Sequence, residues 1–313
     1  MAGLADRVSG ARLDPAAEAE IRYLEAMIAR LEAGEEDPED FRVFRLKNGI
    51  YGIRGRPEHH MIRIKLPVGR ITPEGLRVLA DVAERYAENR LAHVTTRQAV
   101  QLHHVHRRDV PKVLRAVNAV GLTTREACGH SIRAITCCPY AGVSPEEPFD
   151  VTPYAEAAYR YFLRHPVGQN LPRKFKIAFE GCATDHARTP IHDIGVVAAL
   201  EGGKRGFRVY VGGGLGAAPM SAELLEAFTP EEDLLPTMLA IVRLFDRYGN
   251  RIDEVEYHPS YHACMKASVE AGIHASPWVK PGAGANVVRA AKHYMMTQVE
   301  PGHICPITMT FAV

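Results

Sequence analysis

The sequence contains no apolar run approaching the ~20 residues that a membrane-spanning helix needs. Its opening residues, Met1-Ala2-Gly3-Leu4-Ala5-Asp6-Arg7, lack the apolar region of a signal peptide, so a cytoplasmic location is expected. Excess charge of either sign is also missing. With 38 Lys and Arg against 37 Asp and Glu, the formal net charge is +1, which gives no global attraction to nucleic acid or an anionic membrane. Any anion binding therefore has to be local. The six cysteines, at 128, 137, 138, 182, 264 and 305, are too sparse for a secreted disulfide framework and suit reduced thiols. No C-x-x-C or H-E-x-x-H pattern supplies a zinc site, and the 15 histidines read as hydrogen-bonding groups, some delivering protons. Low-complexity segments and short-period repeats are absent as well. What remains is an ordinary globular composition, 46% hydrophobic and 24% charged, in 313 residues that can hold two or three domains.

The hydrophobic periodicity predicts an amphipathic helix over 13–34, then a strand at Phe41–Leu46 that turns at Asn48-Gly49 into Ile50–Ile53. A strand over 61–67 precedes Thr72-Pro73, where Thr72 can cap and Pro73 can open a helix over 73–89. Strands at 91–95 and 98–105 and a helix over 110–120 complete a β-α-β-β-α-like alternation of ferredoxin-like type. From 130 the pattern repeats loosely: a strand at 131–136, a Pro/Gly loop, a helix at 152–164, a strand at 174–180, a glycine-rich turn and helix, a strand at 207–211 and a helix over 230–248. Beyond Arg251 only helical patterns remain, at 258–272 and 285–299.

Cations stand in places where a buried strand is expected. The strand period of two puts Arg63 and Lys65 on one face and Lys174 and Lys176 on one face, opposite Phe175 and Ile177. A cation aimed inward loses several kcal/mol of hydration unless an anion replaces the water, although a solvated strand face accounts for any single pair. His104 and His106 share one strand face, with His103 and Gln101 on the other. Gly212-Gly213-Gly214 lacks dinucleotide-fingerprint spacing; it reads as a tight turn or as a loop that lets a planar cofactor or an anion near the main chain. Cys182 and His186 have the spacing of half an iron–sulfur site, but a four-iron cluster normally takes four thiolates, so this segment reads as a vestige or mimic.

Several strings together resemble the siroheme- and iron–sulfur-dependent nitrite/sulfite reductases, in family order across about 40–251. They are Met61–Gly69, Thr95–His103, Ser131-Ile132-Arg133, Leu171–Lys176, His192–Gly195, Val211–Leu215 and Tyr248–Arg251. The resemblance implies an α+β fold: a ferredoxin-like half and the first α/β siroheme-domain repeat, followed by a short all-helical segment. The implied organisation is a helical extension over 1–39, a ferredoxin-like half domain over 40–128, the α/β repeat over 129–251 and a helical segment over 252–313. It also implies that Arg63, Arg133, Lys174 and Lys176 hold the substrate oxyanion, sulfite or nitrite. Thr95, Arg97, Gln101, His103 and Arg173 are implied to contact siroheme carboxylates. The electron donor would be ferredoxin or a flavoprotein. Only the first of the family's two pseudo-symmetric copies is matched, and the [4Fe–4S] cysteines belong to the second. Cys138 and Cys182 stand at analogous first-copy positions.

The tail resembles the helical N-terminal portion of acyl-CoA dehydrogenases, in the branch tied to alkylation response. The strings that carry this are Val255–His262 and Gln298–Thr310. The expected function is therefore a nitrite/sulfite reductase half that needs a second half for six-electron reduction. The alternative is an inert truncated or chimeric product of two coding fragments. A flavin-dependent acyl-CoA dehydrogenase fits least, because neither the catalytic carboxylate nor a complete flavin pocket can be read.

Overall fold

The computed structural model describes residues 14–249 and 259–311. Residues 255–258 of the first tail string, the Tyr248–Arg251 string beyond Gly249 and the expected boundary near 251 lie outside the described residues. Contacts divide the chain into two units: 1–211 with 222–250, and 212–221 with 251–313.

In the first unit, helix α1 (Pro15–Ala33) starts at Asp14, whose carboxylate accepts the Ala16 N–H, and stops at Gly34 in the left-handed conformation. Helix α2 (Pro38–Lys47) occupies the segment expected to be a strand. The β-favouring residues of Phe41–Leu46 are overridden by a helix start upstream. Asp37 caps, Pro38 takes the first turn, and Glu39 and Asp40 complement the helix dipole. Phe41 and Phe44, three apart, then meet the core on one face.

Strands β1 (Ile50–Ile53), β2 (Arg56–Lys65), β3 (Ala92–Thr95) and β4 (Ala99–His106) form an antiparallel sheet in the order β1-β2-β4-β3. Helix α3 (Pro73–Tyr86), capped by Thr72, and helix α4 (Val110–Ala119) cover one face together with α1. Ile62, Ile64, Leu102 and Val105 point into that helical layer and are fully buried. The period of two sends Arg63, Lys65 and Gln101 to the opposite face, and the register pairs Arg63 with Gln101 directly. This is the ferredoxin-like layer, and its polar face is what positions the site.

The rest of the first unit is built on a second sheet, β5 (Thr136–Cys137), β6 (Ile177–Glu180), β7 (Ile194–Glu201), β8 (Lys204–Val211) and β9 (Glu223–Pro230), in that order. Pairing is parallel from β5 to β7 and antiparallel from β7 to β9. Helices α5 (Thr152–Phe162) and α6 (Leu234–Tyr248) pack on it through a core that includes Phe162, Phe175, Phe179, Phe207 and Met238. Three local expectations are corrected here. Strand β6 starts at Ile177, so Lys174 and Lys176 precede it on irregular backbone. The segment 131–136 is mostly irregular too, with an Ile132–Phe175 bridge ahead of two-residue β5. No helix follows β6; a turn leads into strand β7, and β9 precedes the expected last helix in a segment that had no assignment.

The second unit contains α7 (Pro259–Glu270), α8 (Ser276–Val279), α9 (Ala285–Val299) and α10 (Ile304–Phe311). Its interior is held by a buried relay: Ser268 Oγ lies 2.9 Å from His303 Nε2, and His303 Nδ1 lies 2.9 Å from Glu300 Oε2. Among the described residues no helix is long and apolar enough to cross a membrane.

Candidate functional site

Four segments bring positive charge to the polar face of the first sheet. From β2, Arg63 lies over the Tyr51 ring, 5.1 Å from its centroid. With its amide oxygen turned toward Arg63, Gln101 accepts from Arg63 Nε at 3.0 Å, and the other end of that amide lies 3.4 Å from His103 Nε2. His103 in turn packs edge-on against His93, with ring centroids 4.9 Å apart. Burial and the neighbouring His93, His104 and Arg63 lower the His103 pKa, so its ring is held in the neutral form near neutral pH.

The turn between β3 and β4 supplies Arg97. Thr95 Oγ1 accepts the Arg97 N–H at 3.3 Å and so shapes the turn, and Gln98 sits there with a positive φ of 48°. The Gln98 amide clasps the Cys137 backbone, donating to its carbonyl at 2.6 Å and accepting its N–H at 2.9 Å. This clasp ties the Arg97 turn to β5. The Arg97 guanidinium donates to His192 Nε2 at 2.8 Å and to the Ala134 carbonyl. His192 Nδ1 lies 2.7 Å from the Arg188 carbonyl, which fixes the tautomer: Nδ1 carries the proton and Nε2 accepts. Burial, then the adjacent Arg97 charge, push the His192 pKa down to about 4.

Arg133 is anchored from behind. Its Nη2 donates to the Tyr51 hydroxyl at 2.8 Å and to the Ala127 carbonyl at 2.7 Å. The Lys176 N–H donates to Asp193 Oδ2 at 2.7 Å, and burial holds the Asp193 carboxyl above its usual range. Lys176 is half-buried; desolvation, then Lys174 and Arg97, lower its pKa.

These cations therefore repel one another across a shared space. Burial first, then the charge of Arg133, bring Arg97 down to about 10, with Arg63 adding to the repulsion and Asp193 relieving it. Arg97 Nε is buried with no partner. Arg63, Arg97, Arg133 and Lys176 are half-buried and Lys174 is exposed. A mutually repelling set of guanidinium and ammonium groups with one buried, unpaired donor is the arrangement that an anion completes. Arg63, Arg97, Arg133, Lys174 and Lys176 are brought together in this electrostatic sense, with Gln101 and His103 beside Arg63 and Thr95 beneath Arg97. Arg173 is exposed.

Lys65, although on the same strand face as Arg63, is different. It is sealed at 3% side-chain exposure against Glu126, 3.4 Å away, and over the Tyr159 ring. Its charge is spent on that pair, which makes it part of the scaffold. Residues passed over by sequence reasoning are Tyr51, Gln98, His192 and Asp193; the His192-Asp193-Ile194-Gly195 string was the available signal. The pairing of β5 with β6 also gathers Cys138, Glu180, Cys182 and His186, with potential ligand atoms all within 4.8 Å of one another. Two thiols in that group do not fit a four-iron cluster held by four thiolates.

Residues 53–120 match the nitrite/sulfite reductase ferredoxin-like half domain, and residues 128–258 the nitrite and sulphite reductase 4Fe-4S domain. Residues 221–313 match the adaptive response protein AidB N-terminal domain. A chloroplastic ferredoxin–nitrite reductase of Oryza sativa subsp. japonica is 35% identical over 230 residues, covering 71% of this chain and 38% of that protein. An assimilatory ferredoxin-dependent nitrite reductase of Haloferax mediterranei is 32% identical, covering 73% of this chain and 43% of that protein. The chain thus spans well under half the length of these relatives. Among solved structures, the NirA protein of Mycobacterium tuberculosis superposes with a TM-score of 0.61 at 28% identity, covering 69% of this chain and 42% of NirA. Over residues 53–258 the chain belongs to the nitrite and sulphite reductase family, and it runs on into a segment similar to the N-terminal domain of AidB.

Proposed function

We propose that the chain supplies the anion-binding half of a siroheme-dependent nitrite or sulfite reductase. The observation that carries this reading is the convergence of Arg63, Arg97, Arg133, Lys174 and Lys176 around buried, unpaired donor capacity at Arg97 Nε. Siroheme is a polycarboxylate, and the residues present suit it: Arg97, Arg173, Thr95, Gln101 and His103 would take its carboxylates. When bound, the group supplies an iron at which electrons reach the substrate. Arg63, Arg133, Lys174 and Lys176 would hold the small oxyanion. Their positive charge offsets the negative charge that builds on the substrate oxygens, and Lys176, whose pKa is lowered by burial and by Lys174 and Arg97, would release a proton to them. His192 holds the Arg97 guanidinium by accepting its N–H, and Tyr51 does the same for Arg133.

The modules of this activity are taken as 40–128 and 129–251, with 1–39 and 252–313 as helical additions. The two thiols at Cys138 and Cys182 fall short of a cluster, so electrons have to arrive through a second, cluster-bearing half that docks with this one. The donor class is ferredoxin, as in the names of the relatives. A second reading, a joined product of two coding fragments without turnover, is favoured by the overlap of the AidB-like match with the reductase match over residues 221–258. Adding siroheme to the purified chain and following its visible absorption tests binding, and sulfite or nitrite consumption with reduced viologen tests turnover. Saturable binding without turnover is expected of the chain alone, with turnover restored by a cluster-bearing half. Absence of saturable binding overturns the reading.

A further inference from the structure

The parallel pairing of β5 and β6 continues one residue past β5, because the Cys138 N–H donates to the Phe179 carbonyl at 2.8 Å. That register sets Cys138 beside the end of β6, where the chain turns sharply through 181–187. Glu180, fully buried, folds the turn around its own carboxylate. Oε1 accepts the Cys182 N–H at 2.8 Å, and Oε2 accepts the His186 N–H at 2.6 Å and the Ala187 N–H at 2.8 Å. The turn delivers Cys182 Sγ to 3.9 Å from Cys138 Sγ and His186 Nδ1 to 3.8 Å from Cys138 Sγ. Glu180 Oε1 is 4.0 Å from His186 Nδ1.

The geometry points to a mononuclear metal site for a zinc-class divalent ion, with Cys138, Cys182 and His186 as ligands and Glu180 Oε1 at the fourth corner. A tetrahedral ion with metal–sulfur bonds of ~2.3 Å and metal–nitrogen bonds of ~2.0 Å places two sulfurs about 3.8 Å apart and sulfur and nitrogen about 3.6 Å apart. The observed separations meet both within a few tenths of an ångström. Two further details suit a metal thiolate. The Tyr140 N–H donates to Cys138 Sγ at 3.4 Å, which lowers the basicity a bound sulfur has to satisfy. The Tyr140 ring stands edge-on to His186, centroids 4.8 Å apart, and fixes the imidazole plane. Both cysteines are almost fully buried, and His186 remains partly exposed, which gives the ion a way in.

Burial, then the nearby Glu180 carboxylate, hold the Cys138 thiol above its ordinary pKa. Loading one M2+ releases two thiol protons to solvent and forms two metal–sulfur bonds, with no electron transferred. The backbone N–H groups of the turn account for the Glu180 carboxylate, whereas the two neighbouring thiols and the imidazole are brought to a common point that an ion would fill. The site shares no residue with the cation cluster around Arg97, and it would hold a cation where that cluster would hold an anion.

The test uses the whole purified chain, stripped with a chelator, kept reduced under anaerobic conditions and titrated with Co2+ and then Zn2+. One equivalent of Co2+ is expected to give visible bands of tetrahedral type with a near-ultraviolet thiolate-to-cobalt band, both bleached by one equivalent of Zn2+. Cys182→Ser and His186→Gln, verified as folded by circular dichroism, are expected to weaken Zn2+ binding by more than ~100-fold, beyond what losing a supporting residue does. Cys264→Ser, in the other unit, is expected to leave it unchanged. A thiolate band absent at one equivalent, or affinity unchanged in both ligand variants, overturns the proposal. So does a Cys138–Cys182 disulfide in the isolated chain with no metal uptake after reduction, or an iron–sulfur absorption that depends on these residues.

Discussion

Lowering the pH toward 4.5 should cost the first unit several kcal/mol, and His192 should account for a definable share. In the folded chain this imidazole is 4% exposed, donates through Nδ1 to Arg188 and accepts an Arg97 N–H at Nε2. Burial penalises the charged ring most, and a proton on Nε2 would also lose that bond and face the guanidinium, so its pKa falls to about 4. The sign follows from the direction. A histidine whose folded pKa lies below its unfolded value binds more protons when unfolded, so its contribution is complete at neutral pH and is lost as pH falls from about 6.5 to about 4. The full linkage is about 3 kcal/mol at 1.36 kcal/mol per pH unit, of which about 2.5 kcal/mol is lost by pH 4.5. His60, also pushed down to about 4 by burial and Arg45, contributes a similar amount. Urea unfolding of the parent and of His192→Gln at pH 7 and 4.5 measures this. Glutamine keeps an acceptor for Arg97 and cannot titrate, so the loss between the two pH values should shrink by roughly half. An undiminished loss in His192→Gln, or an imidazole that titrates near 6.5 in the folded chain by NMR, refutes the placement of His192 against Arg97.

Two further predictions concern the scaffold. Breaking the sealed Lys65–Glu126 pair from one side, by Glu126→Gln or Lys65→Met, should cost about 3–5 kcal/mol in denaturant unfolding, and replacing both by apolar residues should cost much less. Gly49→Ala should be strongly destabilising, because Gly49 has a φ of 73° and an added Cβ would meet the Thr124 carbonyl oxygen at 2.3 Å; a thermal midpoint unchanged from the parent contradicts this.

How legible the molecule was from its residues varied with the reach of the interaction. The alternation in Met61–Leu66 told inside from outside correctly because one face of that sheet is helix-packed and the other polar. In Ala99–His106 it breaks at His104, whose φ of 57° brings Val105 into the core beside Leu102, so His104 and His106 do not stand opposite Gln101 and His103 as the period of two implied. Phe41–Leu46 misled, since β propensity in six residues is weaker than a capped, proline-started helix with a core-facing aromatic pair. Strand β9 is mostly exposed and has no clean alternation, so nothing local marked it as a strand. The cations could be named from their strings, but their mutual repulsion depends on β2–β4 register and on the Gln98 clasp to Cys137, which span dozens of residues. The Cys138, Cys182 and His186 group was dismissed on spacing, because the partner that completes it arrives through a parallel strand pairing 44 residues away.

The central claim is that converging positive side chains on the polar sheet face hold a polyanion, and siroheme affinity across charge-removing variants tests it most directly. Arg133→Met, which removes an oxyanion contact, should weaken sulfite or nitrite binding, whereas Arg97→Met should lower siroheme affinity by about 10- to 150-fold, the equivalent of losing one charge-assisted hydrogen bond of about 1.5–3 kcal/mol. Arg22→Met, on the exposed surface of α1 and paired with Glu18, should leave it unchanged. Equal siroheme affinity in Arg97→Met and Arg22→Met, measured by absorption titration, would contradict the account.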